Sequence, residues 1–361
     1  MKKYDKTLLI TVLILMIISL LMIYSASYVW AKYKFDNSFK YVINQGIFSF
    51  IGLLILFIIS KIDYKVYYKK ANFILISCII LLILVLIPGI GVVRNGSRSW
   101  FQIGSFGIQP SEFTKLALII FTSKYLEKSN KFLKDYKKGV FPILFILFFL
   151  FGLIMLEPDF GTGMIIIITI IAILYISGVN MKFFIGLGIL GIIGIIVLII
   201  IAPYRMDRIT SFINPWSDPL GTGFQIIQSL YAIGPGGLFG VGFLNSRQKA
   251  FYLPEPQTDF IFSIVAEEFG IIGTFVILFL FAIILIRGIK IALREQELFP
   301  KYLAFGLTFQ LTVQVVMNLS VVIGLIPVTG VTLPFMSYGG SSLLTSLIGI
   351  GILLNISKKR N

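Results

Sequence analysis

Apolar residues run along this chain in long unbroken stretches, with neither the 3.6-residue period of an amphipathic helix nor the alternation of a half-buried strand. Ten such stretches stand at 7–29, 41–60, 72–88, 112–126, 140–156, 159–178, 182–202, 259–286, 301–324 and 334–355. Each approaches the ~20 residues that a helix needs to cross a bilayer core. The pattern predicts an all-α, polytopic transmembrane protein of about ten spans, organised as a single membrane domain over 1–361. The stretch 112–126 is the most interrupted, by Lys115, Ser123 and Lys124. The first follows Lys2, Lys3 and Lys6 and reaches Ser25-Ala26-Ser27, as a signal peptide would. Its apolar part is too long for a typical signal, so it is read as a span.

The connections differ sharply in length. Most are short, but 89–111 and above all 203–258 are long enough to be functional segments. The larger one, between spans seven and eight, contains a candidate amphipathic helix, Phe224-Gln225-Ile226-Ile227-Gln228-Ser229-Leu230-Tyr231, suited to lying at a membrane interface. The glycine-rich Gly234-Pro235-Gly236-Gly237 follows it.

Charge orients the spans. Hydrophobic residues make up 57% of the chain and charged residues only 13%, yet the net charge is +15. With both termini inside, the inner segments hold 21 of the 31 Lys and Arg residues and the outer ones nine, while Lys115 stands at a span end. This is the positive-inside bias. It makes most of the charge a topology signal and excludes a nucleic-acid footprint. The outer loops still carry Arg94, Arg98, Arg205, Arg208, Arg247 and Lys249. Cys78, the one cysteine, lies inside a span and reads as packing. Histidine is absent, so acid–base chemistry falls to Asp or Glu, with Lys or Tyr weaker candidates.

Carboxylates at or within spans are therefore informative, because an ionisable group in hydrocarbon is costly. They are Glu112, Glu157, Asp159, Asp259, Glu267 and Glu268. Asp259 follows two prolines in Leu253-Pro254-Glu255-Pro256-Gln257-Thr258-Asp259-Phe260 and is expected in the first turn of span eight. Two readings are open there: Thr258 or Asp259 caps the helix, or Asp259 is a reactive carboxylate at headgroup level. Glu157-Pro158-Asp159 between spans five and six is open to holding a divalent cation, or to capping span six and pairing with an arginine. Gln310, Gln314 and Asn318 form one stripe on span nine, read either as interhelical hydrogen bonding or as a polar path through the membrane.

Several strings in these segments form a recognisable series. They are Asn95-Gly96-Ser97-Arg98-Ser99-Trp100, Gln109-Pro110-Ser111-Glu112-Phe113-Thr114-Lys115, Glu157-Pro158-Asp159-Phe160-Gly161-Thr162, Arg205 and Arg208 with Asn214-Pro215-Trp216-Ser217-Asp218-Pro219, the 253–262 string, and Pro334-Phe335-Met336-Ser337-Tyr338-Gly339-Gly340-Ser341-Ser342. In this order on ten spans they resemble the SEDS family (shape, elongation, division and sporulation proteins), across essentially the whole chain. Pro215-Trp216, the run from Ser229 to Gly237 and the Pro254–Asp259 string look most like the FtsW and SpoVE branches. RodA-type members often carry His where Gln257 stands, and position 97 is commonly Ala.

The resemblance implies a peptidoglycan glycosyltransferase in a bacterial plasma membrane, its active site facing outside. It would polymerise lipid II onto a nascent glycan strand during division or sporulation and release undecaprenyl pyrophosphate. It implies Asp259 as catalytic base and Arg98, Trp100, Lys115, Arg205, Arg208, Glu255, Ser337 and Tyr338 as substrate-binding positions. Glu112, Glu157 and Asp159 would be structural or hold Mg or Mn. The implied partners are a class B penicillin-binding protein and other divisome or elongasome membrane proteins. A pyrophosphate leaving group needs cations more than a protonating acid, so one carboxylate suffices. Each arginine is equally open to reading as a headgroup contact, and Trp100 as an interfacial belt residue. Two rival functions are a lipid-linked oligosaccharide flippase, which would rely on mid-depth groups such as Glu267 and Gln314, and a non-catalytic scaffold.

Overall fold

A computed structural model describes residues 4–94, 96–104, 106–133, 135–201, 206, 210, 212–221 and 223–358. In chain order its helices are α1 (Lys6–Phe35), α2 (Lys40–Lys61), α3 (Tyr64–Leu86), α4 (Pro110–Ser129), α5 (Tyr136–Gly139), α6 (Phe141–Leu156), α7 (Phe160–Ile176), α8 (Met181–Ile201), α9 (Phe224–Ile233), α10 (Ile261–Arg294), α11 (Leu298–Val322) and α12 (Gly340–Ser357). A helix stands at each of the ten expected stretches. Seven are long and apolar enough to cross a membrane: α1, α2, α3, α8, α10, α11 and α12. α6 and α7 are apolar but shorter.

α4 explains its own interrupted sequence. It packs against α3, α6, α7, α11 and α12, so its polar positions meet protein rather than lipid. Thr114 and Ser123 return their hydroxyls to carbonyls four residues back, at 3.0 and 2.7 Å. α8 is the converse, with none of its most apolar window buried.

Three details depart from the sequence reading. α3 starts at Tyr64, because Asp63 caps it by accepting from the Lys65 N–H at 2.9 Å, so Lys65, Lys69 and Lys70 ride on helix rather than loop. The segment 89–111 folds as a three-stranded antiparallel sheet: β1 (Val92–Arg94), β2 (Ser97–Ile103) and β3 (Phe106–Ile108). Gly96 and Gly104, at φ 80° and 60°, turn the chain between its strands. The last helix begins at Gly340, leaving 334–339 as irregular chain.

α9 occupies the expected amphipathic segment and is packed on α10 and α11. The Ser229 hydroxyl donates to the Val322 carbonyl at 2.6 Å and lies 2.8 Å from the Ser263 hydroxyl. The glycine-rich run after α9 repairs a break in α10. Gly270 sits at φ 61°, ψ −156° within that helix, which interrupts its hydrogen-bond ladder. The Glu267 and Glu268 carbonyls accept instead from Val241 and Gly242, at 2.9 and 3.0 Å. Below the break, Ile271 and Ile272 donate to the Gly237 and Leu238 carbonyls at 2.9 and 3.2 Å. A broken helix at membrane depth is tolerated only where such partners exist.

α10 is also pinned to α1 at two points. Arg287 donates to the Asp5 carboxylate through Nε and Nη2, at 2.8 and 2.5 Å. Nearer the break, the Ser25 hydroxyl lies 2.6 and 2.8 Å from the two Glu268 carboxylate oxygens. Lys249 Nζ reaches the same carboxylate at 2.6 Å, and both charged groups are buried. The neighbouring Glu267 carboxylate accepts from the Ser246 hydroxyl at 2.5 Å and from the Arg247 N–H at 2.7 Å. Two carboxylates in the N-terminal turns of α10 therefore hold the 246–249 turn.

The close approach of strap and helix sets a test. A Cβ on Gly240 would fall 2.1 Å from the Glu268 carbonyl oxygen, at a residue with φ +81°, whereas one on Gly234 meets nothing within 4 Å. Gly240→Ala is expected to destabilise the fold by ~2 kcal/mol or more, and Gly234→Ala to leave it near wild type. Thermal unfolding of the detergent-purified variants, followed by size-exclusion monodispersity, reads the difference.

Candidate active site

The chain approaching α10 is irregular because Pro254 and Pro256 cannot continue a helix. It closes in a turn, with the Thr258 N–H donating to the Glu255 carbonyl at 3.0 Å. Glu255 stands in the left-handed region at φ 43°. α10 starts at Ile261, with Phe260 at its N-cap position and no side-chain cap. Asp259 therefore stands before the helix rather than in its first turn, and the capping reading falls. The Thr258 hydroxyl instead reaches the Glu255 carbonyl at 2.7 Å and Asp259 Oδ1 at 2.9 Å. Phe260, fully buried, anchors the turn beneath a half-buried Asp259.

The turn is held from the side by two other elements. The Tyr338 N–H donates to the Gln257 carbonyl at 2.8 Å. Asn318 Nδ2 on α11 donates to the Asp259 carbonyl at 2.6 Å and to the Val331 carbonyl at 2.8 Å. Ser337 is buried, and its hydroxyl accepts from the Leu333 N–H at 2.8 Å within its own turn. The Tyr338 ring meets Tyr41 edge-on at 5.0 Å, and its hydroxyl lies 3.5 Å from Asn44 Nδ2.

The stripe on α11 continues from Asn318 to a second polar group. Gln314 Nε2 donates to the Thr332 carbonyl at 3.0 Å and to the Ser342 hydroxyl at 3.2 Å. Gln314 Oε1 accepts from Lys115 Nζ at 3.0 Å and from Gln310 Nε2 at 3.2 Å. Lys115 also pairs with Glu112 at 2.8 Å, and Thr345 donates to the other Glu112 oxygen at 3.0 Å. All of these polar atoms belong to a connected seam between α4, α11 and α12, with the Asp259 turn at one end and the Glu112–Lys115 pair at the other. Apart from the Gln310–Gln314 bond within α11, the stripe's contacts run to other elements, as the reading of hydrogen bonding between elements expects.

The remaining candidates scatter. The Arg98 guanidinium turns onto the C-terminal end of α3, with Nη1 3.4 Å from the Leu86 carbonyl, where a helix dipole favours a cation. One face of Trp100 is covered by Arg94, whose guanidinium carbon lies 5.2 Å from the ring centroid. Glu255 is exposed beside the Asp259 turn. Arg205 and Arg208 lie outside the described residues.

Of the three carboxylates read as structural or as a possible cation site, two are engaged by neighbouring side chains and backbone. Glu112 is taken by Lys115 and Thr345, as above. Asp159 accepts from the Thr162 N–H at 3.0 Å, capping α7, and from Gln109 Nε2 at 2.9 Å. No three metal-ligating side chains converge among the described residues. Glu157 alone is unengaged. It is fully buried, with no hydrogen-bond partner for either carboxylate oxygen among the described residues, while its backbone carbonyl accepts from the Ser97 hydroxyl. Burial, helped by the Asp159 charge, pushes its carboxyl up from the ordinary 4.5 to about 9.

Two functional features escaped the sequence reading. The Lys249–Glu268 pair had a signal in retrospect: an unmatched cation in an outer loop and an unmatched carboxylate in a span. The bridging role of Asn318 had none beyond its place in the stripe, because its partners are backbone carbonyls.

The architecture defines a multi-pass helical membrane protein whose polar groups gather in an internal seam ending at a carboxylate-bearing turn. The chain belongs to the FtsW/RodA/SpoVE family of cell cycle proteins, whose family model matches residues 5–361. It is 52% identical over 354 residues to stage V sporulation protein E of Bacillus subtilis (strain 168), covering 98% of this chain and 97% of that protein. The probable peptidoglycan glycosyltransferase FtsW of Geobacter sulfurreducens (strain DL-1 / KN400) is 39% identical over 358 residues, covering 99% of this chain and 96% of that one. Among solved structures, a chain from a peptidoglycan synthase complex that coordinates polymerization and crosslinking superposes with TM-score 0.81 at 30% identity, covering 99% of each chain. Thermus thermophilus RodA, a rod shape determining protein, superposes with TM-score 0.72 at 27% identity, covering 99% of this chain and 97% of that one.

Glu157 makes a pH test. Its raised pKa means that the folded state holds a proton which the unfolded chain releases above about 4.5. That contribution is fully present below 4.5 and is lost as pH rises through about 9. Glu157→Gln is expected to unfold near wild type at pH 5 and at a progressively higher temperature than wild type toward pH 9. Parallel unfolding temperatures across that range would refute the assignment.

Proposed function

We propose that this protein is a peptidoglycan glycosyltransferase that polymerises lipid II into glycan strands at the outer face of a bacterial plasma membrane, in division or sporulation. The observation that carries the reading is Asp259. Its carboxylate stands on a braced turn ahead of α10 and does not cap that helix. In a chain without histidine, that is the carboxylate best suited to act as a base.

In this reaction Asp259 takes the proton from the 4-hydroxyl of one lipid-linked sugar as that oxygen attacks the anomeric carbon of another. The glycosidic bond forms with inversion, and undecaprenyl pyrophosphate departs with the bonding pair. Cationic groups stabilise that departure. Arg205 and Arg208 belong to the loop that leads to Asp259, while Lys115 stands at the other end of the seam, paired with Glu112 and Gln314. Arg98 and Trp100, engaged by the α3 terminus and by Arg94, support the outer sheet in this scheme. The names and titles of the relatives above support the activity, and the peptidoglycan synthase complex supports a class B penicillin-binding protein as partner. The charge bias supports an orientation with both termini inside and the Asp259 turn outside.

The flippase reading relies on mid-depth polar groups available to a passing headgroup. Glu267 and Gln314 are instead saturated by internal partners. That favours polymerisation.

Purified protein given lipid II is expected to make polymer, and Asp259→Asn to lower the rate by roughly 10²–10⁴-fold while still binding lipid II. Full activity in Asp259→Asn would overturn the base assignment. Lipid transport into vesicles without polymer would support the flippase instead.

A further inference from the structure

Asn318 is one turn beyond Gln314 on α11 and is almost fully buried. Within the stripe it alone touches the Asp259 turn. Its carboxamide nitrogen carries two N–H groups. One meets the Asp259 carbonyl at 2.6 Å and the other the Val331 carbonyl at 2.8 Å. Those carbonyls come from two irregular segments, 250–260 and 323–339, which lack a helix or strand ladder of their own to fix them. Two residues upstream the same two segments meet again, where the Tyr338 N–H donates to the Gln257 carbonyl.

We infer that Asn318 is a positioning residue for the polymerisation reaction: its carboxamide clamps the Asp259 turn to the 331–338 segment and so fixes where the Asp259 carboxylate stands. This rests on the reading of Asp259 as the base. Asn318 does not touch substrate, and it acts through the backbone of the residue that does.

The side chain chemistry is restrictive. A primary amide supplies two diverging neutral N–H groups from one atom. Serine or threonine supplies one. Lysine supplies three but brings a charge beside the carboxylate. Aspartate at this position would present an anion to two carbonyls, and glutamine is a methylene too long for the same backbone. General-base catalysis is sensitive to such placement, because a displacement of ~1 Å in the reacting groups costs about 10²-fold in rate.

The test uses the full-length protein in detergent or nanodiscs with lipid II. Asn318→Ser, which keeps one donor, is expected to lower kcat by ~10–100-fold with KM changed less than about threefold. Ser229→Ala serves as a packing control. It removes another buried hydrogen bond to α11, at the Val322 carbonyl, without touching the Asp259 turn. It is expected to lower the unfolding temperature comparably while keeping kcat within about twofold of wild type. In an Asp259→Asn background, Asn318→Ser is expected to add little further loss, because the two act as a unit. Wild-type kcat in folded Asn318→Ser overturns the inference. So does a loss that multiplies fully with Asp259→Asn, or an equal loss in Ser229→Ala. If Asp259→Asn is itself fully active, the base reading fails first, and the clamp loses its function with it.

Discussion

A peptide group in hydrocarbon has no water to turn to, and this molecule is organised around that constraint. The sharpest case is Gly270, where α10 breaks and four backbone groups lose their helical partners. The 237–242 strap supplies a replacement for each of them. Two glycines stand where the backbones approach so closely that a side chain would collide: a Cβ on Gly240 would lie 2.1 Å from the Glu268 carbonyl oxygen, and one on Gly236, just before the strap, 2.1 Å from the Ala266 carbonyl oxygen. The same rule governs the seam. Gln314, Asn318, Lys115 and Glu112 are admissible inside the bundle because each finds its partner on another element. The large loop is thus packed against α10 and α11 from α9 onward.

The charged groups follow a parallel logic. Burying Glu112 with Lys115, and Glu268 with Lys249, avoids leaving a lone ion in low dielectric, which is the expensive alternative. Glu157 takes the other route and holds a proton. Such groups are committed inside the fold to a partner or to a proton. They explain why carboxylates that look equally interesting on paper separate into structural members and one, Asp259, on a turn ahead of a helix.

Hydropathy alone revealed where helices lie, because long apolar runs admit few other solutions in a membrane. It missed the sheet at 92–108, whose short strands carry no alternation long enough to detect. It also carried the last span back to residue 334, because Pro334-Phe335-Met336 is apolar although it forms a turn. Asp259 was legible as a carboxylate after two prolines, but its distance from the helix start was not, since the cap position went to Phe260. For Arg98 and Trp100 the resemblance implied substrate contacts, with a headgroup contact and an interfacial belt residue as the other readings. Their engagement with the α3 terminus and with Arg94 depends on how the sheet folds back, which no local pattern encodes. Asn318 was visible only as a stripe member, because side chain to backbone bonds between remote segments leave no paired residue to notice.

The two pins between α1 and α10 bear on chain length as well as on stability. Asp5 meets Arg287, and twenty residues further along α1 Ser25 meets Glu268. With polar contacts fixed about 30 Å apart, the pair works as a vernier: both marks align only at one count of intervening residues. A single residue added between Asp5 and Ser25 would swing the serine by about 100° and advance it ~1.5 Å, withdrawing its hydroxyl from both the Glu268 carboxylate and Lys249. This stretch of the first helix therefore tolerates exchange of one apolar residue for another far more readily than any change in its length.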